Sequence, residues 1–339
     1  MSDPVATSTP THPVPPDAGS PLVVLIPVFN DWEALQLLLP ELDRVLLAHG
    51  LSADVLIVDD GSTTAPGSPF SGYRALGRVS ILGLKRNLGH QRAIAIGLAF
   101  VADRLPSCEC LVVMDGDGED DPRDIPRMLD RFRAEGGRAI VFADRTRRSE
   151  SLKFQVFYKL YRITHRLLTG FDVRVGNFSV IPRRSLESLA VVSELWNHYA
   201  AAAFNSRQPH CSVPTQRAKR LQGEPRMNFV RLVVHGLSAI SVHSELIGVR
   251  LLVVSLGLIA LDVLAVAIVV AVRLTTELAI PGWATTAVGI SVILLAQAVM
   301  LALLFCFVTL SGRQGLTFLP IRDYAYFAGP LRTVFPGES

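Results

Sequence analysis

The chain has 339 residues, 50% of them hydrophobic, a formal net charge of +3 and a mean hydropathy of +0.37. It is too apolar for a purely soluble protein, and its small charge, with no basic stripe interleaved with aromatics, argues against nucleic acid as a partner. Its four cysteines, two of them in "CEC" at 108–110 and one within an apolar run, fit neither a disulfide framework nor zinc spacing and read as reduced and structural.

Residues 1–20 are rich in Pro, Ser and Thr and have no apolar centre, so they read as a disordered tail and not a signal peptide. From residue 21 short apolar runs alternate with helical patterns: "PLVVLIPVF", a helix over 31–48, "ADVLIVDD", "VSILGL", a helix over 90–104, "CLVVMD", a helix over 123–135 and "RAIVFAD". Strands separated by helices predict an α/β fold with a mainly parallel sheet covered on both faces. In such sheets ligands bind at the carboxyl ends of the strands, where Asn30, Asp59, Asp60, Asp115, Asp117, Asp144 and Arg145 fall. No GxGxxG follows the first strand, which argues against a dinucleotide-binding unit.

The stretch "VVMDGDGEDDP" (112–122) crowds Asp115, Asp117, Glu119, Asp120 and Asp121 into seven positions at a predicted strand end. Mutual repulsion there calls for a cation or an array of donors. An EF-hand loop is excluded, because Asp120 stands where Gly is required and Pro126 where the bidentate Glu belongs. A hard, oxygen-lined site suited to magnesium or manganese and completed by substrate phosphates fits; so does a solvated helix N-terminus favoured by the dipole.

Two apolar runs, 251–272 with only Asp262 ionisable and 284–310 with none, each exceed the roughly 20 residues needed to cross a bilayer. Arg231 and Arg250 before the first and Arg313 and Arg322 after the second, against Arg273 alone in the connector, put both flanks in the cytoplasm. The expected organisation is a tail over 1–20, a catalytic domain over 21–226, a juxtamembrane amphipathic helix over 227–246, a two-helix hairpin over 247–312 and a cytoplasmic tail over 313–339. Basic residues Arg217, Lys219, Arg220 and Arg226 lead that interfacial helix, whose rival reading is an ordinary core helix. Asp262 is expensive in lipid and faces either the other span or a neighbouring subunit. His90, His165, His198 and His235 have no ligand spacing and read as structural or surface groups.

"IPVFN" (26–30), "VDDGS" (58–62), "RNLGHQRAIAIGL" (86–98), "MDGDGEDDP" (114–122) and "GNFSVIPRR" (176–184) occur in the order expected of family 2 glycosyltransferases. With two C-terminal spans, the chain is similar to the membrane-anchored branch that includes dolichol- and undecaprenyl-phosphate sugar synthases, over roughly residues 21–326. The resemblance implies a GT-A fold and an inverting transfer, of hexosyl type, from a nucleotide-diphosphate sugar to a polyprenyl phosphate at the cytoplasmic membrane face. It implies that Pro27, Asn30, Asp59 and Asp60 hold base and ribose, and that Asn87, Gly89 and Arg92 border the nucleotide. Asp115 and Asp117 match the family's DxD, with Glu119 as a further metal-site residue for Mg2+ or Mn2+.

A lipid monophosphate is already largely a dianion near neutral pH, so its attack needs no general base. It needs cationic groups that fix phosphates without taking a proton. The resemblance places the acceptor phosphate by "ADRTRRSESLK" (143–153): Arg145 first, with Arg148, Ser149 and Lys153, while Arg147 fits a solvated loop as well. Arg220 and Arg226 are further phosphate candidates, although Pro225 stands where the family commonly has Ser. Association with copies of itself is left open. Two alternatives stand beside this reading: a processive polysaccharide synthase, against which the missing QxxRW helix and the small number of spans argue, and a catalytically silent nucleotide-sugar-binding scaffold.

Overall fold

The computed structural model describes residues 20–145, 166, 175–222, 237, 238, 240–275, 282–314 and 318–336. The chain divides into two compact units, one comprising Met1–Tyr158, Val173–Val242 and Thr317–Ser339, the other Lys159–Asp172 and His243–Leu316.

The first unit is built on an eight-stranded sheet of order β7-β5-β6-β4-β1-β2-β3-β8. Its central strands β1 (Leu22–Val28), β2 (Ala53–Asp59), β3 (Leu76–Leu84) and β4 (Cys110–Val113) are mutually parallel, and α1 (Trp32–Ala48) and α2 (His90–Arg104) connect them. These strands are apolar on both faces, as a sheet covered on both sides requires. Val24, Ile26, Val55 and Ile57 pack with α1 and α3 (Asp124–Ala134), while Val23, Leu25, Leu56 and Val58 pack with α2. Gly97 lets α2 come close, since a Cβ there would lie 2.5 Å from a Leu25 methyl and 2.9 Å from Val58.

Beyond β4 the sheet becomes mixed. Strand β6 (Val175–Pro182) runs antiparallel to both β4 and β5 (Ile140–Arg145), and β7 (His210–Thr215) pairs parallel with β5. Between β6 and β7 lie α4 (Arg183–Leu189), a 3-10 turn at Ser193–Trp196 and α5 (Tyr199–Asn205). The chain therefore has the GT-A-like mixed sheet with covering helices that its motifs imply.

Residues 318–336, expected within a tail, are instead part of this unit. Helix α8 (Pro320–Phe327) packs on α2, with the Tyr324 hydroxyl donating to Asp103 at 2.5 Å, and β8 (Ala328–Phe335) adds antiparallel to β3. An open edge of β3 is thereby covered, which is the common physical remedy for an exposed strand edge.

The second unit contains α6 (Ser244–Thr275) and α7 (Trp283–Gln314), which lie against one another and are each long and apolar enough to cross a membrane. Their apolar side chains are largely exposed, the pattern of helices whose solvent is lipid. Asp262 sits near the middle of α6, and its Oδ2 is hidden from solvent without a hydrogen-bond partner among the described residues. Most of the amphipathic helix expected over 227–246 lies outside the described residues.

Candidate active site

The parallel strands end along one edge, and the loops leaving β1, β2, β3 and β4 bring the polar motifs there. After β1, Asn30 takes a left-handed backbone (φ 52°), a conformation that Asn tolerates better than most residues. Its Oδ1 accepts from the backbone N–H of Thr63 (2.8 Å) and Thr64 (3.1 Å), tying the β1 loop to the turn after β2. In that turn Asp59 accepts from the Ser62 N–H at 2.9 Å. Asp60 is 3% exposed and accepts from the Leu88 and Gly89 N–H groups at 2.7 and 2.9 Å, so it braces the 86–89 turn from beneath. Burial raises its pKa despite those two donors. Gly61 is obligatory here: its φ is +70° and a Cβ would lie 2.7 Å from the backbone of Arg86 and Asn87.

The acidic loop follows β4. Gly116 lets it pass over β1, where a Cβ would come within 3.1 Å of Ile26. Asp120, 2% exposed, accepts from the Asp115 N–H at 2.9 Å, and Asp121 and Asp124 pair with Arg123 and Arg127 ahead of and within the first turn of α3. Those three carboxylates hold the loop and helix start together. Asp115, Asp117 and Glu119 instead meet side chains from outside the acidic loop and α3: His90, Arg220 and Arg217.

Asp115 Oδ1 lies 3.1 Å from His90 Nε2, at the start of α2. Desolvation opposes the charge on His90, but the charge and hydrogen bond of Asp115, with Asp117 and Asp120 behind it, outweigh that and raise the imidazole pKa. Asn177 of β6 contacts the same ring nitrogen at 2.8 Å, Gln91 donates to Asn177 at 3.1 Å, and the Tyr199 N–H donates to Gln91 at 2.7 Å. Asp117 accepts from the Glu119 N–H at 3.0 Å and from Arg220 Nη1 at 2.9 Å. Burial, then the neighbouring Asp115 charge, pushes its pKa up to about 6 in spite of Arg220 and Arg217.

Residues 216–222, leaving β7, strap this loop down. Backbone N–H groups of Ala218 and Leu221 donate to the carbonyls of Glu119 and Asp117, each at 3.0 Å. Arg217 pairs with Glu119, Arg220 pairs with both Asp117 and Asp31, and the Leu221 side chain closes on Gly118 (φ +81°). Among the described residues no group of three or more His, Cys, Asp or Glu side chains is disposed to hold a metal. Asp115 and Asp117 are a pair of hard oxygen donors, one of them destabilised as an anion, and Coulomb attraction would favour a divalent cation beside them.

The structure thus gathers Asn30, Asp59, Asp60, Asn87, Gly89, Asp115, Asp117, Glu119 and Arg220 at the loops along this edge, with Pro27 buried in β1. Arg92 lies with its guanidinium carbon 5.0 Å over the Trp196 ring. Arg145 ends β5, its backbone opposite Thr215, while Arg148, Ser149, Lys153, Pro225 and Arg226 lie outside the described residues. Asp31 carries no signal of its own in the sequence, and His90, which lacks ligand spacing, reads there as a structural or surface group. The signal for His90 is position: it follows Gly89 directly within the "LGHQ" stretch, at a strand-to-helix turn on the edge where the strands end.

Residues 23–190 match the model of the family described as Glycosyl transferase family 2. The chain belongs to that family. The undecaprenyl-phosphate 4-deoxy-4-formamido-L-arabinose transferases of Salmonella paratyphi B and Salmonella newport are each 25% identical to it over 223 residues, covering 62% of this chain. The chain spans 63% of the length of these curated relatives. Among solved structures, glucosyl-3-phosphoglycerate synthase from Mycobacterium tuberculosis, in complex with Mn2+, uridine-diphosphate and glucosyl-3-phosphoglycerate, is similar with a TM-score of 0.46 and 14% identity over 68% of this chain and 81% of that one. Mannosyl-3-phosphoglycerate synthase from Rubrobacter xylanophilus is similar with a TM-score of 0.44 and 14% identity, covering 65% of this chain and 72% of that one.

Proposed function

We propose that the chain is an inverting glycosyltransferase that moves a sugar from a nucleotide-diphosphate sugar to a polyprenyl phosphate at the cytoplasmic face of a membrane. The observation that carries this reading is the meeting of Asp115, Asp117 and Arg220 at the strand edge of a family 2 domain, in a chain that also has two apolar helices. The curated relatives, whose names specify undecaprenyl phosphate, support a lipid-phosphate acceptor.

The loops at the ends of β1, β2 and β3 form the nucleoside side of the site, with Asn30, Asp59, Asn87 and Gly89 nearest the ligand. Asp60 shapes it through the backbone that it braces. Asp115 and Asp117, with Glu119 beside them, would hold Mg2+ or Mn2+. Such an ion would supply positive charge that offsets the negative charge the leaving diphosphate acquires. Arg145, with Arg148, Ser149, Lys153 and Arg226, serves the acceptor phosphate.

The acceptor phosphate oxygen forms a bond to the anomeric carbon as the bond to the diphosphate oxygen breaks, and the electron pair leaves with the nucleoside diphosphate. One displacement inverts the anomeric configuration. The attacking phosphate brings no proton that must be removed, so the cationic side chains act by position and charge.

The test is transfer of radiolabel from a panel of nucleotide sugars to undecaprenyl phosphate in membranes containing the full chain. A product that extracts into organic solvent and has inverted configuration at the anomeric carbon is expected. Labelled polymer, or nucleotide-sugar binding without turnover across the panel, contradicts the reading.

A further inference from the structure

We propose that Asp31 is a positioning residue for Arg220, holding its guanidinium at the edge of the acidic loop when a cation engages Asp117. The inference rests on the reading of this loop as the diphosphate site. Arg220 has three partners: Nη1 donates to Asp117 Oδ2 at 2.9 Å, Nη2 pairs with Asp31 Oδ2, and Nε donates to the Gln222 carbonyl at 2.9 Å. Arg220, Asp117 and Asp31 are 15%, 18% and 21% exposed at the side chain, so the pairs are poorly screened by water.

Asp31 stands at the N-cap of α1, where an aspartate ordinarily accepts from a free backbone N–H of the first turn. It makes no such bond. Its Oδ2 meets Arg220 instead, and Gln222 makes a parallel contact to Glu33 in the same first turn at 3.2 Å. The preceding residue explains how Asp31 is aimed. Asn30 is fixed in a left-handed conformation by its bonds to the 62–64 turn, which sets where residue 31 points.

The two carboxylates on Arg220 have different fates. A divalent cation beside Asp117 would repel the guanidinium and compete with it for that carboxylate. With Asp117 as its sole carboxylate, Arg220 would then leave. Asp31 belongs to α1 and not to the acidic loop, so its hold persists, and the Nη1 donor released from Asp117 stays where a diphosphate oxygen arrives. Arginine suits this role because its rigid fork serves a carboxylate on one edge and a phosphate on another.

The experiment is a double-mutant cycle on the full chain in detergent, reading binding of inorganic pyrophosphate in the presence of Mn2+ by titration calorimetry. Pyrophosphate makes the readout independent of base and sugar. Asp31→Asn is expected to weaken binding about tenfold and Arg220→Gln at least as much, with the double variant no weaker than Arg220→Gln alone. Asp31→Glu should restore most of the Asp31→Asn loss, and the melting temperature of Asp31→Asn should stay close to that of the wild type. Wild-type affinity in Asp31→Asn, additive losses, or a loss that tracks melting temperature overturns the role of Asp31. Failure of the wild-type protein to bind pyrophosphate with Mn2+ overturns the diphosphate-site reading itself, and this proposal with it.

Discussion

His90 Nε2 lies 3.1 Å from Asp115 Oδ1, which places a titratable imidazole beside a carboxylate at the centre of the candidate site. Asp115 raises the pKa of His90, and burial with Asp115 raises that of Asp117 to about 6. Protons on either group compete with a divalent cation for the loop. Cation affinity is therefore expected to fall as His90 takes up its proton and, at lower pH, as Asp117 does at about 6, by up to about tenfold per unit for each proton displaced. His90→Gln should shift this decline to lower pH, towards that set by Asp117 alone. Mn2+ titrations by electron paramagnetic resonance between pH 5 and pH 8, taken as an order-of-magnitude window around those values, check this.

Asp117 also sets a balance between stability and function. A carboxyl whose pKa is higher in the fold than its ordinary 3.8 binds its proton more tightly there. Native stability accordingly falls as pH rises from 3.8 to about 6, and the loss stands in full above that range. Without cation at pH 7.5, Asp117→Asn is expected to stabilise the protein by on the order of 1–2 kcal/mol, with Arg220 still held by Asp31. The same variant should lose transfer by about 1,000-fold or more. Thermal melting in chelator, paired with the transfer assay, reads both.

Gly118 is the point at which the strap and the acidic loop touch. It has a φ of +81°, and an added Cβ would overlap the Leu221 side chain. Gly118→Ala should cost about 1–3 kcal/mol locally and undock residues 217–222. Arg217, Lys219 and Arg220 then become trypsin sites. Limited proteolysis is expected to cut the variant there well before the wild-type protein.

The C-terminal pairing can be tested at Tyr324, whose hydroxyl donates to Asp103 at 2.5 Å and accepts from Arg104 at 3.2 Å. Tyr324→Phe should lower stability by about 1 kcal/mol. Removing residues 318–339 uncovers the β3 edge and should yield aggregates on size-exclusion chromatography.

The sequence made the central part of this molecule legible because its signals there are local. Val23 to Val28, Val55 to Val58 and Leu111 to Val113 are apolar runs closed by polar turns, and α1, which connects the first two, buries one face at helical spacing. Both apolar helices could be read from length and charge alone. What escaped depends on distant pairing. Strand β8 follows the apolar helices in sequence yet pairs with β3, some 250 residues earlier, as Ser80 opposite Thr333 shows. Its run "AGPLRTVF" has no strict alternation to announce it. The sheet is mainly parallel as expected, but nothing in the run of β6 announces that it lies antiparallel between β4 and β5.

The site divides along the same line. Asp115 and Asp117 were visible as a crowding of charge, and the need for counter-charge followed from Coulomb's law. The identity of the counter-charge was not visible, because Arg220 lies 103 residues from Asp117 and 189 from Asp31. Nor could spacing reveal that Asp60, Asp120 and Asp124 are engaged in holding turns, since that follows from their burial and their partners, backbone N–H groups for Asp60 and Asp120 and Arg127 for Asp124.

The most direct test of the central claim compares wild-type protein with Mn2+, wild-type protein with excess chelator, and Asp117→Ala with Mn2+, in transfer of labelled sugar to undecaprenyl phosphate. The account predicts lipid-linked product in the first sample alone, with the protein folded and membrane bound in all three samples. Full transfer in chelator or by Asp117→Ala would contradict it.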